Sequence, residues 1–335
     1  MPKPVSAGII LSYTCTCECK HCMYACSPKW KDGWINTADA EKIIKSLSGT
    51  IQVSPFGRRR VSINYGLHFT GGEPFLNFNL LVKLVRIASK FNIPSTFVET
   101  NSFWSMDDST ARSKMIILKD AGLDGILVSV NPFILEHIPF DRTLRTIRLA
   151  REVFGDNVIV YQEMFLHQFM ILGVKGTLRL EEYLKCAGPG GLTNVELLPM
   201  GRACYKLAQF FRKFKSEVFF HESCLNELTR QWHVHIDCYG NFIPGYCGGL
   251  SLGNVTGEES LCREIDLDKH PIIACLLSTN GLEKLYRMAV NEFDYRSLPD
   301  GYISKCHLCV DIRKHISLQT SEFLELRPKE FYENL

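Results

Sequence analysis

The sequence predicts an α/β protein of parallel strands alternating with helices, with a smaller cysteine-rich C-terminal domain containing a β-hairpin. Three observations lead there. Short apolar runs alternate with amphipathic segments at a rhythm that argues βαβ units, about six of them and so short of an eight-fold barrel. Cysteines gather again from Cys224 onward, ending in the C-x2-C pair Cys306 and Cys309. Between them, His233 to Cys247 reads as strand, Tyr239-Gly240-Asn241 turn, and second strand.

Taken in order, Ala7–Leu11 is a short apolar run that fits a buried first strand. A cysteine loop follows at once. Thr37–Leu47 carries a cap-like Thr37 and helically spaced apolar residues, and it ends near Gly49. Thr50–Gly66 is a long connection; its Arg58-Arg59-Arg60 run reads as a solvated turn, with a basic contact to an anionic substrate as the alternative. Leu67–Thr70 is a strand that runs into Gly71-Gly72-Glu73-Pro74, and Phe78–Phe91 is a helix. Ser95–Ser102 is a strand on which Glu99 and Asn101 share a face; Asn101 alternatively caps a turn. Ser109–Ala121 is a helix stopped by Gly122, and Gly125–Asn131 is a strand with Ser129 and Asn131 at its carboxyl end. The pattern continues with helix Leu144–Phe154, strand Asn157–Glu163, and helix Thr177–Cys186 broken by Gly188-Pro189-Gly190-Gly191. Asn194–Ala203 is a strand and turn, and Gln209–Lys215 falls in a linker helix that packs its phenylalanines.

The 335 residues are 46% hydrophobic and 22% charged, an ordinary globular balance. A formal net charge of +2 implies no pervasive basic field, and no nucleic-acid partner is expected. No apolar run is long enough to span a bilayer, and Met1–Val5 leads into the first strand without a secretory h-region. Fourteen cysteines in such a chain read as metal ligands and free thiols rather than as a disulfide framework, which points to a reducing, cytoplasmic setting.

The chemistry starts in the loop after the first strand. Cys15, Cys19 and Cys22 are spaced C-x3-C-x2-C. Thiolates are the usual ligands of iron–sulfur clusters, whose full set is four. Three therefore leave one iron open, and an open position is where a metal site does chemistry. The loop sits at the carboxyl end of a strand, where α/β folds place their sites. Cys17 and Cys26 lie off this spacing and read as buried thiols. In Gly71-Gly72-Glu73-Pro74, two glycines allow a ligand close to the backbone, Glu73 can accept from an ammonium, and Pro74 fixes the turn.

The C-x3-C-x2-C loop followed by Gly-Gly-Glu-Pro resembles the radical S-adenosylmethionine (radical SAM) superfamily. The resemblance implies a partial (β/α)6 TIM-like barrel. It implies a [4Fe-4S] cluster on Cys15, Cys19 and Cys22 whose open iron chelates SAM, with Gly72 and Glu73 at the SAM amino group. It places His21 near the adenine, and Glu99 and Ser129 along the SAM pocket. Arg202, in the Pro199–Ala203 turn, is a surface residue or lies near SAM or substrate. Reductive cleavage of SAM to a 5′-deoxyadenosyl radical then implies an electron donor such as flavodoxin or ferredoxin.

The C-terminal third resembles the SPASM/twitch domain, which holds an auxiliary [4Fe-4S] cluster. The ligand pool is Cys224, Cys238, Cys247, Cys306 and Cys309, enough for one such cluster. The pattern departs from the family in that Gly245 stands where a cysteine is usual. A zinc site would use the same thiols, and His233, His235 and His307 stand nearby, though His233 and His235 read better as one packed strand face. Cys186, Cys204, Cys262 and Cys275 read as core thiols.

The expected organisation is a radical SAM core over 1–205, a linker helix over 206–223, a SPASM/twitch-like domain over 224–320 and a tail over 321–335. The expected function is radical modification of a peptide or protein. The alternatives are a radical-based small-molecule biosynthetic enzyme and a non-enzymatic zinc-binding interaction module.

Overall fold

The computed structural model describes residues 2–335 apart from 31–32, 189, 193–196, 257–260 and 262–263. The chain divides into two compact units, Pro4–Cys19 with Ser27–Glu196, and Lys20–Cys26 with Leu197–Leu335. The cysteine loop thus begins in the first unit and ends in the second.

The first unit is built on five parallel strands: β1 (Ser6–Ile10), β2 (Gly66–Thr70), β3 (Thr96–Thr100), β4 (Gly125–Ser129) and β5 (Val158–Tyr161), side by side in the order β5-β4-β3-β2-β1. Every residue of β1 and β2 is buried, as parallel strands covered on both faces require. The covering helices follow the strands: Thr37–Ser48, Phe78–Lys90, Asp108–Asp120 and Phe140–Phe154. Helix Phe78–Lys90 buries Leu80, Leu81, Leu84, Val85 and Ala88, a stripe at helical spacing.

Register explains how the sheet carries a site. Glu99 pairs with Leu127, and Leu127 with Ile159, while Ser129 pairs with Tyr161. Since alternate residues share a face, Phe97, Glu99 and Asn101 line one side of β3 with Leu127, Ser129, Ile159 and Tyr161 beside them. Phe97 and Leu127 form an apolar floor with Val61. The polar side chains stand above it, toward the carboxyl ends of the strands.

Several local expectations change. The first helix is capped by Asn36, whose side chain accepts from the Ala38 amide at 2.8 Å, so Thr37 is its first residue. Helix Glu163–Ile171 follows β5 where the sequence predicts none, because apolar residues ring it and leave no one-sided period. The next helix is Leu180–Ala187, and its Cys186 is exposed rather than in the core. The expected sixth strand lies partly outside the described residues, as do Pro189 and Cys262.

In the second unit the hairpin forms as expected. β6 (Val234–Ile236) and β7 (Phe242–Pro244) pair antiparallel. Asp237 closes the turn by accepting from the amides of Tyr239 and Asn241 at 3.0 and 2.8 Å, and Gly240 takes φ +81°. Helices Pro271–Leu277, Gly281–Phe293 and Lys305–Gln319 complete the unit. The linker helix over 206–223 is not formed. Two short 3-10 turns, Ala208–Phe210 and Ser216–Phe219, stand there instead, because Phe214 exchanges both backbone hydrogen bonds with Tyr302 at 2.8 Å and is drawn out of a helix. Residues 321–335 pack into this unit, Glu325 taking the Ser251 amide on its carbonyl at 2.8 Å. Among the described residues, no helix is long and apolar enough to cross a membrane.

Candidate cluster and cofactor site

The first part of the cysteine loop is closed by its own backbone. Cys15 donates to the Ser27 carbonyl and Ser27 to the Tyr13 carbonyl, each at 3.2 Å. Tyr13 stacks on Trp30 at 4.4 Å, and Thr14 Oγ1 donates to the Trp30 carbonyl at 3.0 Å. Cys15 and Cys19 are buried. Asn101, at the end of β3, points its Nδ2 at this loop: 3.0 Å from Thr16 Oγ1, 3.3 Å from Cys17 Sγ and 3.7 Å from Cys15 Sγ. Its Oδ1 accepts from the Phe103 amide at 3.0 Å, so it caps a turn as well. The Cys15 thiol is pushed well above its ordinary value, first by its hydrogen bond with Cys17 and then by burial. Such thiols stay protonated on their own, and a metal that binds them must displace those protons.

The Gly-Gly-Glu-Pro turn is seated directly on that loop. Gly72 donates to the Ser12 carbonyl at 2.8 Å and Glu73 to the Thr14 carbonyl at 3.1 Å. A β-carbon on Gly72 would come within 1.9 Å of the Thr14 carbonyl oxygen, so only glycine fits. Gly71, at φ +128°, is also tight, its β-carbon position 2.3 Å from the Ser12 carbonyl oxygen. The Glu73 carboxylate is buried and engaged inside the protein. It accepts from the amides of Asn101 (2.8 Å) and Phe75 (3.2 Å), and Thr100 Oγ1 lies 3.0 Å from both of its oxygens. Burial lifts its acid to about 7 against the pull of these hydrogen bonds. Thr100 in turn accepts from Trp104 Nε1 at 2.9 Å, and Trp104 stacks on Phe75 at 4.0 Å. One network therefore ties the glycine turn, the end of β3 and the cysteine loop together.

The rest of the loop belongs to the second unit, where Arg202 holds it. The Arg202 amide donates to the Cys22 carbonyl at 3.0 Å. Its Nη2 donates to the carbonyls of Ala25 (2.7 Å) and Cys26 (3.0 Å), and its Nε to that of Asn334 (3.0 Å). Only 1% of the residue is exposed, so Arg202 is not a surface residue. The Cys22 thiol is lowered to about 6, first by its hydrogen bond with Cys26, with the Arg202 charge adding to it against burial. His21 is kept neutral, lowered to about 4 by burial and then by Arg202. Cys17 and Cys26 are buried thiols, as expected.

On the inner face of the sheet, Glu99 accepts from Thr70 Oγ1 at 2.5 Å and stands 3.5 Å from His68 Nε2. Its side chain is 30% exposed, so it can still reach a ligand. Ser129 is half-buried at the end of β4.

The C-terminal thiols form a second group within the second unit. Cys224 precedes a short helix, Leu225–Thr229, and is fixed by its amide to the Leu276 carbonyl at 2.9 Å. Cys247 follows the hairpin in a turn on Pro244. Cys306 and Cys309 lie in the first turns of helix Lys305–Gln319, which Ser304 caps by accepting from the His307 amide at 3.0 Å. Burial pushes the Cys224 thiol up, and so do the charges of Cys309, Cys247 and Cys306. The Cys306 thiol rises to about 12 by burial and then by Cys247 and Cys309. These four sulfurs therefore lie within electrostatic range of one another. Cys238 sits in the hairpin turn. His233 and His235 are buried with their rings 4.8 Å apart, and His235 Nδ1 is 2.8 Å from Tyr24 Oη, in keeping with a packed strand face.

The sequence does not show the roles of Thr100 and Trp104, because Glu73 and Phe75, which they meet, lie on a different turn of the chain and no spacing rule connects them. The available signal was the polar end of β3, where Thr100 and Asn101 follow Glu99.

The donor sets suit the groups the motifs imply, three thiols in the loop and four in the C-terminal unit. Residues 8–132 match the model of the Fer4_12 family, described as a 4Fe-4S single cluster domain. No curated protein sequence matches the chain. Among solved structures, the chain is similar to Streptococcus suis SuiB bound to precursor peptide SuiA, at 15% identity and a TM-score of 0.45, over 91% of this chain and 76% of that one. It is similar to anSMEcpe with bound AdoMet and Cp18Cys peptide, at 13% identity and a TM-score of 0.44, over 94% and 98%. It is also similar to BtrN in complex with AdoMet and 2-DOIA, at 12% identity and a TM-score of 0.40, over 86% and 88%. The C-x3-C-x2-C loop and the Gly-Gly-Glu-Pro turn seated on it both lie within the residues that match the 4Fe-4S single cluster domain.

Proposed function

We propose that Cys15, Cys19 and Cys22 hold the catalytic [4Fe-4S] cluster, that Gly72 and Glu73 take the amino group of SAM, and that the enzyme abstracts hydrogen from a peptide or protein. Bound there, the cluster would supply the electron that splits SAM into methionine and a 5′-deoxyadenosyl radical. The observation that carries this reading is the backbone seat of Gly72 on Ser12 and Thr14, which sets the glycine turn beside the first cysteine. Because the Glu73 carboxylate is spent on Thr100, Asn101 and Phe75, its part is to hold the turn in shape and leave the backbone there to meet the ammonium. His21 stays neutral and apolar enough to stand by the adenine. Glu99 and Ser129, on the inner face, contact SAM hydroxyls.

In the C-terminal unit, Cys224, Cys247, Cys306 and Cys309 hold one auxiliary [4Fe-4S] cluster, and Cys238 is the spare member of the pool. The mutual charge effects among those four support the choice. A peptide substrate is favoured by this SPASM/twitch-like unit, and a flavodoxin- or ferredoxin-type protein would supply electrons. The small-molecule reading rests on a different observation: Glu99 is a partly buried carboxylate beside an apolar floor of Phe97 and Leu127, which suits a small polar substrate.

The test is anaerobic reconstitution with iron and sulfide, then SAM and dithionite. Wild type should hold about eight irons and release 5′-deoxyadenosine; a Cys15/Cys19/Cys22→Ala variant should hold about four and release none. Zinc at the first three cysteines with no SAM cleavage would sink the reading. A peptide encoded beside this chain's gene should change mass on incubation, and SAM cleavage that leaves such a peptide intact would favour the small-molecule alternative.

A further inference from the structure

Arg313 lies on helix Lys305–Gln319, one turn beyond Cys309, and is 5% exposed. Its Nη1 donates to the Gly248 carbonyl at 3.1 Å and approaches Tyr332 Oη at 2.9 Å. Its Nε is buried without a hydrogen-bond partner. A buried guanidinium needs an anion, because leaving such a charge uncompensated costs several kcal/mol. Gly248 adjoins Cys247 in the chain, and Cys309 lies four residues before Arg313 on the same helix, so the buried charge stands beside two of the four thiols.

A second guanidinium lies against the turn that carries Cys247. Arg230 is stacked between Trp232 and Tyr246, at 4.8 and 4.9 Å from the ring centres, and its Nε is also buried without a hydrogen-bond partner. It presses on Gly245, two residues before Cys247, where a β-carbon would stand 2.2 Å from its Nη2. Lys305 is different: Glu222 and Glu227 already pair it at 3.2 and 2.7 Å. Carboxylates therefore neutralise the lysine, whereas the two arginines are set against Gly245 and Gly248, on either side of Cys247 in the chain.

We infer that Arg313, supported by Arg230, is the built-in counter-cation of the C-terminal cysteine site, a positioning residue that holds four thiolates as an anionic cluster and raises its reduction potential. This rests on the auxiliary-cluster reading above. A four-thiolate [4Fe-4S] cluster is negatively charged, and its potential follows nearby charge, hydrogen bonding and exposure. Adding an electron beside a fixed buried cation is easier than beside a neutral group.

The experiment is an anaerobic redox titration of the full-length enzyme followed by electron paramagnetic resonance, with iron counted in the same samples. Arg313→Gln, Arg313→Lys and the less buried Arg230→Gln are compared with wild type. Arg313→Gln should shift the second cluster's reduction equilibrium at least tenfold toward the oxidised form, 59 mV for one electron. If the Gln variant loses that cluster while Lys keeps it, the role of charge stands equally. Arg313→Lys should stay near wild type, and Arg230→Gln should shift in the same direction by less. Unchanged potentials in both Gln variants, or a Lys variant as impaired as Gln, would overturn the inference. Wild type with about four irons and no second signal would overturn the auxiliary-cluster reading itself, which is a separate and recognisable result.

Discussion

Gly72 leaves no room for a side chain over Thr14: the two backbones meet so closely that an added β-carbon would lie 1.9 Å from the Thr14 carbonyl oxygen. The obstacle is backbone, which has no rotamer to give. Gly72→Ala must therefore displace the cysteine loop. Overpacking of this kind costs about 1–3 kcal/mol. The variant should melt lower, bind about four fewer irons and yield no 5′-deoxyadenosine; full iron and normal SAM cleavage would show that the seat does not matter.

Thr100 joins Glu73 to Trp104. Thr100→Val keeps the shape but removes the hydroxyl that donates to the buried carboxylate and accepts from Trp104 Nε1. Orphaning such groups costs about 1–3 kcal/mol each. A fall of that size in denaturant stability is expected, together with weaker SAM binding by equilibrium dialysis. A variant as stable as wild type would count against the network.

Arg202 makes its hydrogen bonds to the carbonyls of Ala25, Cys26 and Asn334 from within the second unit. Arg202→Met preserves bulk and loses all three. Hydrogen bonds to a charged donor are worth about 1.5–3 kcal/mol each, and the lost desolvation cost of the arginine offsets part of that. The expected net loss is about 2–4 kcal/mol by denaturant titration, with Arg202→Lys recovering only part, since an ammonium cannot span acceptors set for a planar fork. Equal stability of Met and wild type would refute the clamp.

His68 makes stability depend on pH. It is 3% exposed, and burial lowers it from 6.5 to about 3, outweighing Glu99 at 3.5 Å. Below pH 6.5 the unfolded chain takes up a proton that the folded chain refuses until about 3. Its contribution is therefore intact above 6.5 and is lost as pH falls, at a limiting slope of about 1.4 kcal/mol per pH unit. Unfolding curves at pH 7.5, 6.5 and 5.5 for wild type and His68→Phe should diverge toward acid, with wild type the steeper; parallel curves would disprove it.

Cys238 and Cys247 separate the ligand from the spare. Cys247→Ser should cost the auxiliary site its iron, about four per chain, whereas Cys238→Ser should leave the count unchanged. The reverse result would move the ligand set to the hairpin turn.

What the sequence by itself determined was whatever depends on near neighbours in the chain. The spacing of Cys15, Cys19 and Cys22, the Gly71-Gly72 pair, the hairpin turn at Gly240 and the apolar runs of β1 to β5 all act over a few residues. Their physical requirements are therefore written locally. The helix after Tyr161 is not legible in the sequence because its apolar residues have no one-sided period, and the linker helix does not form because Phe214 bonds to Tyr302, far along the chain. Only the tertiary structure decided that Glu73 is turned inward to Thr100, that Arg202 grips the loop, and that Arg313 is buried on the Gly248 carbonyl and Tyr332. Each of these is a buried polar or charged group, and its partner is chosen by the fold. Out of water such a group must be satisfied by whatever packing brings to it, and sequence distance says nothing about what that is.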